Sequence, residues 1–413
     1  MKLYLLLICS ISSLCLLSCS ASRLEKNLAE IADEIHLKIL SIDTHVDTPL
    51  RFVNSNFDLS VKHNSREEGS KLDFPRMKEG GLDAVFFAAF VGQGPRTPEG
   101  NMKAKESILR TIDSIKSKLV QNNSIAELAL NADDAYQIKK KGMRAVYIGM
   151  ENGYPVGSDL TLIKTYYDLG VRYITLCHTK NNDICDSSLD PDSAEHKGLS
   201  AFGKKVIAEM NRVGMIIDIS HVSDKAFYDV IELTKVPVIA SHSSVRSLCD
   251  NPRNLTDEML RKLAENGGVI QICIFTEYLK TPELNPARDS VFQIFRETYS
   301  NYENLSDEER AKARAERIEL DKKFQRKLAT VSDVVDHIDH VVKIAGIDHV
   351  GIGTDFDGGG GVDGCFDVSE MKNITIELLR RGYSEKEIEK IWSGNFMRVF
   401  REVEGFASTL IQK

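Results

Sequence analysis

Short apolar runs alternate with amphipathic segments along most of the chain. Residues 23–38 repeat apolar side chains at spacings of three and four, which predicts a helix. Eight short apolar runs follow, and their near-continuous apolar character is typical of parallel strands buried on both faces. The runs cover residues 38–43, 82–91, 144–150, 171–177, 214–220, 237–241, 267–275 and 349–354.

Helical patterns separate these runs, for example over residues 102–119, 200–214 and 331–346. Strands that alternate with helices in this way predict an α/β fold, a (β/α)8 TIM-type barrel, formed as a single domain over residues 38–405. An open doubly wound sheet is the alternative. Residues 406–413 are expected to form a C-terminal tail.

The longest interval lies between the seventh and eighth runs, at about residues 276–330, and much of it is charged and helical. A solvated helical insertion outside the core is the simplest interpretation. Because the insertion leaves the C-terminal end of a strand, it could also cover the barrel mouth as a lid.

The N-terminus departs from this pattern. Lys2 precedes an uncharged apolar run from Leu3 to Leu17, which has the length of a signal-peptide core and is short for a membrane span. The run ends in Leu-Leu-Ser-Cys at Cys19, which resembles a bacterial lipobox. We therefore predict a signal peptide over residues 1–18, a lipid-anchored segment and helix over residues 19–37, and export to the periplasmic or cell-surface side of a bacterial membrane. An ordinary cleaved signal or an uncleaved anchor is the alternative.

Composition adds three limits. Hydrophobic residues make up 42% of the 413 residues and charged residues 28%, which is enough for a large globular core. The net charge of −8 argues against a nucleic-acid-binding surface. The cysteines beyond Cys19 fit no zinc knuckle, and we expect most of them to be buried, although an oxidising compartment would allow a disulfide. They are Cys177, Cys185, Cys249, Cys273 and Cys365.

Polar side chains follow six of the eight apolar runs. In a closed parallel barrel the C-terminal ends of the strands share one rim, so these side chains are expected to converge there. They are His45 and Asp47 after the first run, Glu151 after the third, His178 after the fourth, His221 after the fifth, His242 after the sixth and Asp355 after the eighth.

Three of these imidazoles and two of the carboxylates are more ligands than one catalytic zinc ion takes. Two zinc ions that share Glu151 would use the whole set. His45, Asp47 and Glu151 would hold the first ion, and Glu151, His221 and His242 the second. Without metal, the carboxylates would repel one another at low dielectric. The sequence therefore predicts a binuclear zinc site bridged by Glu151.

The remaining histidines are not expected to bind metal. His337 and His340 lie three residues apart on a helix that belongs to the outer ring, away from the rim. The others have no convergent partner and are expected at the surface: His36, His63, His196 and His349.

Seven segments occur in this order along the chain: IDTHVDTPL, YIGMENG, YITLCHTKNN, IIDISHVS, VIASHSSVRSLCDNPRNLTDEML, DHIDHVVKIAGIDHVGIGTDFDG and IWSGNFMRVF. With them the chain resembles the membrane (renal) dipeptidases, binuclear zinc peptidases of the amidohydrolase superfamily. The resemblance covers about Ile42 to Glu404. It implies the same five zinc ligands, with His178 facing the substrate, Asp355 as the acid/base, Arg253 on the terminal carboxylate of the dipeptide and Tyr278 as a further substrate contact.

The resemblance implies hydrolysis of free dipeptides by a metal-bridging hydroxide, and a homodimer is consistent with it. Asn152 stands where many relatives carry a second glycine, and the stretch after Asp357 is rich in glycine. These departures affect the expected side-chain preference and leave the zinc chemistry unchanged.

Two alternatives stay open. A related amidohydrolase acting on a cyclic amide, lactone or phosphoester would usually carry His-x-His in the first strand, where this chain has Asp47 at the second position. A lipid-anchored binding protein without the chemistry is disfavoured by the complete ligand set and Asp355.

Overall fold

The computed structural model describes residues 25–53, 55–299 and 305–411. Its strands are β1 (Ile42–Val46), β2 (Ala84–Phe90), β3 (Ala126–Leu128), β4 (Arg144–Glu151), β5 (Val171–Thr175), β6 (Ile216–Asp218), β7 (Ile239–Ser243), β8 (Val269–Ile272) and β9 (Val350–Ile352).

The helices lie between and around these strands. They are α1 (25–38), α2 (Pro49–Phe52), α3 (Ser65–Glu68), α4 (Phe74–Glu79), α5 (Pro98–Gln121), α6 (Asp134–Lys140), α7 (Thr161–Asp168), α8 (Ala201–Val213), α9 (Asp224–Leu233), α10 (Asp257–Glu265), α11 (Thr276–Leu279), α12 (Pro286–Thr298), α13 (Asp307–Lys323), α14 (Val331–Ala345), α15 (Lys372–Arg380), α16 (Glu385–Glu389) and α17 (Asn395–Ile411).

Parallel strands form a nearly closed barrel in the order β1-β2-β4-β5-β6-β7-β8-β9. This arrangement confirms the predicted (β/α)8 fold and excludes the open sheet. The short strand β3 pairs with β4 outside the ring, and its apolar run is too brief to be recognised in the sequence. Helix α17 continues to Ile411, so most of the segment expected as a tail is helical.

Backbone hydrogen bonds close the barrel between β1 and the residues after β9. The amide of Asp47 donates to the carbonyl of Phe356 at 2.7 Å, and the amide of Asp355 donates to the carbonyl of His45 at 3.0 Å. The closure therefore places Asp355 beside His45 and Asp47, although more than 300 residues separate them in the chain.

Polar residues at the predicted boundaries cap the outer helices. Ser200, Ser223 and Thr256 begin α8, α9 and α10, and each side chain accepts a hydrogen bond from a backbone amide of the first turn. Gly214 ends α8 in the left-handed conformation, with a φ of 82°, which costs glycine little. These caps fix where each helix starts, and the glycine lets the chain turn back toward the next strand.

Alternation along the strands divides the core into two layers. On β2, Val85 and Phe87 pack outward against the helices, whereas Ala84 and Phe86 face the barrel interior. The interior layer also contains Tyr147 and Tyr173, and α17 covers it from below with Phe396 and Phe400. The interior register of β4 continues through Gly149 to Glu151, which places Glu151 at the opposite end of the barrel.

The insertion after β8 contains α11, α12 and α13. Helix α13 is largely solvated, and Ala313 is the buried apolar residue among its described side chains. The insertion returns to the barrel near the rim, where Arg326 pairs with Glu277 of α11. Its action as a lid stays a prediction.

All five cysteines of the described region are buried, and none of them forms a disulfide bond. Cys19 and the predicted signal peptide lie outside the described residues. Within the ranges that the structure covers, no helix combines the length and apolarity needed to cross a membrane.

The expectation that His36 lies at the surface is wrong. The side chain is buried, with Nδ1 3.0 Å from the carbonyl oxygen of Gly81 and Nε2 2.7 Å from the hydroxyl of Thr375. Packing of α1 against α15 encloses the ring, and this contact is invisible in the sequence. The other three, His63, His196 and His349, are partly buried and have local polar partners.

Burial of His36 makes the stability of the protein depend on pH. Burial lowers the pKa of His36, so the folded chain resists a proton that the unfolded chain takes up below about pH 6.5. The unfolded state then binds more protons, and we expect the free energy of unfolding to fall as pH drops from 7 to 5.5, by at most about 1.4 kcal/mol per pH unit from this group. Urea unfolding of the wild type and His36→Gln at both pH values checks this. Equal slopes for the two proteins would contradict it.

Candidate metal centre and active site

The predicted site residues lie at the C-terminal end of the barrel. His45 lies within β1 and His242 within β7, Glu151 is the last residue of β4, and Asp47, His178, His221 and Asp355 follow β1, β5, β6 and β9. Arg253 lies in the connection after β7, and Tyr278 lies on α11 after β8.

Glu151 stands between two groups of imidazoles. Its Oε2 lies 3.5 Å from Nε2 of His45, whereas its Oε1 lies 3.1 Å from Nε2 of His221 and 3.5 Å from Nε2 of His242. Nε2 of His178 is 3.8 Å from the same Oε1. The two carboxylate oxygens therefore face different sides of the site, which is the arrangement that a bridging ligand requires.

The two edges of the site also approach each other. Nε2 of His45 lies 3.6 Å from Oδ2 of Asp47, and Nε2 of His221 lies 2.8 Å from Nε2 of His242. The ring centroids of His45 and His242 are 3.9 Å apart. The site is thus one compact cluster rather than two separate ones.

Three overlapping groups have ligand atoms within 4.8 Å of one another, and Glu151 belongs to two of them. The grouping differs in detail from the predicted pairing, because His242 groups with His45 and Glu151, whereas His221 groups with Glu151 and His178. The groups are His45, Glu151 and His242; Glu151, His178 and His221; and His45, Asp47 and Asp355.

Unpartnered polar atoms indicate that this cluster suits metal ions. Nε2 of His45 and Oδ1 of Asp47 are buried and have no hydrogen-bond partner within the described part of the chain. Burying a polar atom without a partner is costly, so such atoms are rare and call for an explanation. A divalent cation bound by imidazole nitrogen and carboxylate oxygen supplies one.

Burial and neighbouring charges set the protonation of three of the predicted metal ligands. Burial, followed by the positive charge of Arg253, lowers the pKa of His221 well below its ordinary value, and burial also lowers that of His242. Burial alone would raise the pKa of Glu151, but the surrounding histidines hold it well below its usual range. The neutral imidazoles of His221 and His242 and the ionised carboxylate of Glu151 are thus in the forms that ligate a metal.

The pKa of Asp355 shifts in the opposite direction from that of Glu151. Burial and then the negative charge of Asp47 raise the pKa of Asp355 well above its ordinary value. Cys273 lies beneath it, with Sγ 4.0 Å from Oδ2 of Asp355. A carboxyl group with a raised pKa takes up and returns a proton readily, which suits an acid/base role.

Several site residues adopt backbone conformations that non-glycine residues avoid. Asn152, His221 and Asp355 have φ values of 80°, 71° and 59°. Such strain persists where the surroundings hold it and tends to concentrate at functional sites. At Asn152 the side chain offsets it, because Nδ2 donates to the carbonyl of Val91 at 3.1 Å and Oδ1 accepts from Asn182 at 3.1 Å.

Arg253 faces the site from the connection after β7. Its side chain is buried, and its hydrogen bonds go to neutral oxygens, at 3.0 Å to the carbonyl of His242 and at 3.5 Å to the hydroxyl of Ser243. The ring of Tyr278 lies under the guanidinium at 5.2 Å. Nε of Arg253 has no hydrogen-bond partner among the described residues. A buried guanidinium that has no carboxylate partner in the part of the chain covered by the structure suits an anionic ligand.

Aromatic side chains that the sequence analysis did not assign complete the site. Phe90, at the end of β2, packs edge-on against His178 with ring centroids 4.8 Å apart. Below the ligands, the hydroxyl of Tyr173 lies 2.8 Å from Nδ1 of His45. Gly149 allows this contact, because a Cβ there would overlap the Tyr173 ring. A tyrosine inside an apolar strand gave no signal that distinguished it from core.

A (β/α)8 barrel with clustered histidines and carboxylates at its C-terminal rim defines a metal-dependent hydrolase of the TIM-barrel class. A family model described as Membrane dipeptidase (Peptidase family M19) matches residues 29–413. The chain therefore belongs to the membrane dipeptidase family and is a metallopeptidase that hydrolyses dipeptides.

Individual relatives agree with this assignment. Dipeptidase tcpJ of Claviceps purpurea (strain 20.1) is 32% identical over 377 residues, which is 89% of this chain and 78% of the relative. The uncharacterized dipeptidase C965.12 of Schizosaccharomyces pombe is 32% identical over 390 residues, or 92% of this chain and 83% of the relative. The crystal structure of the probable dipeptidase PvdM from Pseudomonas aeruginosa has a TM-score of 0.79 at 31% identity and covers 92% of this chain and 100% of that one.

The central position of Glu151 can be tested by metal analysis. Glu151→Gln keeps the shape of the side chain but replaces an oxygen by an amide nitrogen, which carries no lone pair for a metal. We expect the purified variant to contain less than half of the wild-type metal, measured by inductively coupled plasma mass spectrometry. Glu377→Gln is the matched control, since Glu377 is a buried glutamate of the outer helix α15 and pairs with Arg381 just after that helix. Wild-type metal content in Glu151→Gln would refute the shared-ligand assignment.

Proposed function

We propose that the protein is a dipeptidase that binds two zinc ions, with Glu151 shared between them. His45 and Asp47 complete one side, and His221 and His242 complete the other. The observation that carries the proposal is the placement of Glu151, whose two oxygens face His45 and the His221/His242 pair separately at 3.1 to 3.5 Å. When bound, the zinc ions lower the pKa of a water molecule toward neutrality and polarise the scissile carbonyl.

Asp355 moves the proton in this proposal. It accepts a proton from the attacking water and delivers it to the nitrogen of the leaving amine as the C–N bond breaks. Its backbone bond to His45 and its contact with Cys273 hold it at the rim beside Asp47. The raised pKa of Asp355 favours the second half of this task, because the group retains the proton until the amine leaves.

His178 stabilises the developing oxyanion. Burial lowers the pKa of His178, so the ring is neutral near pH 7 and has one N–H to donate. Packing against Phe90 and His221 fixes the plane of the ring. A donor that is already oriented stabilises charge in the transition state without reorganisation.

Arg253 binds the terminal carboxylate of the dipeptide. Its guanidinium is buried beside His242 and lies over the ring of Tyr278, so the bound carboxylate would lie next to the metal centre. A fixed distance between the carboxylate clamp and the reacting carbonyl favours dipeptides over longer chains.

Export and lipid anchoring through Cys19 belong to the same proposal. Their support is the sequence of residues 1–19, which the structure does not describe. A homodimer is likewise consistent with the resemblance. The site residues named above all come from one chain.

Asp355→Asn tests the acid/base role. Asparagine keeps the shape but cannot carry the proton, so we expect kcat to fall by at least about 100-fold while both metals remain. Steady-state kinetics together with metal analysis measures the two effects. Asp363→Asn, an exposed aspartate of the same glycine-rich loop, is the control and should keep wild-type kcat. Full activity of Asp355→Asn would remove Asp355 from this role.

Arg253→Ala tests the carboxylate clamp. Without the guanidinium, we expect KM for free dipeptides to rise by about 10-fold or more, in line with the loss of a charge-assisted hydrogen bond. The wild type should hydrolyse free dipeptides faster than C-amidated ones, and the variant should lose that preference. Rates on free, N-blocked and C-amidated forms of one dipeptide provide the measurement. An unchanged KM, or a wild-type preference for C-amidated substrates, would contradict the clamp.

A further inference from the structure

A polar layer lies directly beneath the metal ligands inside the barrel. Asp218 ends β6 and is fully buried, and Ser241 lies beside it on β7. The hydroxyl of Ser241 is 2.6 Å from Oδ2 of Asp218 and 2.8 Å from Nδ1 of His242. A continuous chain of hydrogen bonds therefore runs from a buried carboxylate through a serine to an imidazole of the site.

The hydrogen bonds of Asp218 determine the direction of this chain. Its Oδ1 accepts from the amides of Ser220 and Ser241 at 3.0 and 2.8 Å. Its Oδ2 accepts from the hydroxyls of Thr175 and Ser241 at 2.5 and 2.6 Å. Four donors stabilise the ionised carboxylate, which has no hydrogen of its own to donate. The Ser241 hydroxyl must therefore point its hydrogen toward Asp218.

The tautomer of His242 follows from that direction. Because the Ser241 hydrogen points to Asp218, the Ser241 oxygen can only accept from Nδ1 of His242, so Nδ1 carries the hydrogen. The lone pair of the neutral ring is then on Nε2, which faces Glu151 at 3.5 Å. Nε2 is the atom that a metal ion would use.

We propose that Asp218 and Ser241 are positioning residues that hold His242 in its metal-binding tautomer. Neither residue reaches the site itself, so both act through His242. This inference rests on the proposed function, because it assumes that His242 is a metal ligand. Groups that orient a metal-bound histidine commonly change metal affinity by about 10- to 100-fold when they are removed.

Asp218→Asn reverses the direction of these hydrogen bonds and keeps the shape of the side chain. The asparagine oxygen must face the two backbone amides of Ser220 and Ser241, since the opposite orientation would bring donors together. Its amide nitrogen then donates to the Ser241 hydroxyl, which turns and donates to Nδ1 of His242. That interaction places the ring hydrogen on Nε2. A metal ion can then bind His242 only after the direction of all these hydrogen bonds is reversed.

Zinc affinity is the appropriate measurement. Metal-free protein is titrated with zinc in competition with a chromophoric chelator, and the unfolding midpoint of the metal-free protein is recorded alongside. We expect the more weakly bound zinc ion to bind to Asp218→Asn about 10- to 100-fold less tightly than to the wild type. Saturating zinc should restore most of kcat, because the catalytic groups are intact.

Two further variants separate positioning from folding. Ser241→Ala removes the hydroxyl that connects Asp218 to His242, so adding Asp218→Asn to it should change zinc affinity no further. Asp73→Asn is the matched control, since Asp73 is a fully buried aspartate that caps α4 and accepts hydrogen bonds from His63 and Arg76, neither of which belongs to the site. We expect it to lower the unfolding midpoint without changing zinc affinity.

The outcomes are distinguishable. Wild-type zinc affinity in Asp218→Asn would overturn the inference, and so would an undiminished effect of Asp218→Asn in the Ser241→Ala background. If Asp218→Asn does not fold, Ser241→Ala alone tests the inference, because it leaves three of the four hydrogen bonds of Asp218 in place. We expect Ser241→Ala to weaken zinc binding, and wild-type zinc affinity in this variant would overturn the inference. Failure of the wild type to bind zinc would instead refute the proposed function.

Discussion

The position of the Glu151 carboxylate between two sets of imidazoles is the constraint on which the rest of the site depends. A single side chain can face both sets only if the strands that carry them are curved into a closed ring and share one end. The interior register of β4 brings Glu151 to that end, and Gly149 two residues earlier makes room for the Tyr173 ring below it. The barrel is therefore part of the chemistry, because an open sheet would spread the same residues along one edge.

Irregular strand geometry allows neighbouring residues to serve different layers. The ladder shifts register within β1 between Asp43 and Val46 and within β7 between Ala240 and Ser243. At β7, this shift lets Ser241 and His242, which are adjacent in the chain, both face the interior, one in the polar layer and one in the site. Regular alternation would have turned one of them outward. Bulges near active sites commonly redirect a side chain in this way.

The buried polar layer explains how unpartnered ligand atoms are held in place. Tyr173 contacts His45 and Ser241 contacts His242, so each of these rings is fixed through Nδ1 while Nε2 remains directed into the site. Left-handed backbone at Asn152, His221 and Asp355 adds strain that the surrounding hydrogen bonds offset. The site therefore combines a hydrogen-bonded lower layer with unpartnered coordination positions above it, which is the preorganisation that catalysis by positioned charges needs.

The sequence by itself determined the barrel and the convergence of its polar strand ends, because apolar runs of strand length separated by capped helices allow few other folds and parallel strands share one rim. It also determined the set of histidines and carboxylates that gather there, since these residue types are uncommon at the ends of buried strands. Only the tertiary structure decided which ligand lies beside which, that Asp218 and Ser241 support His242, and that His36 is buried. Those facts depend on strand register, bulges and packing between distant elements, and no local pattern of residues encodes them.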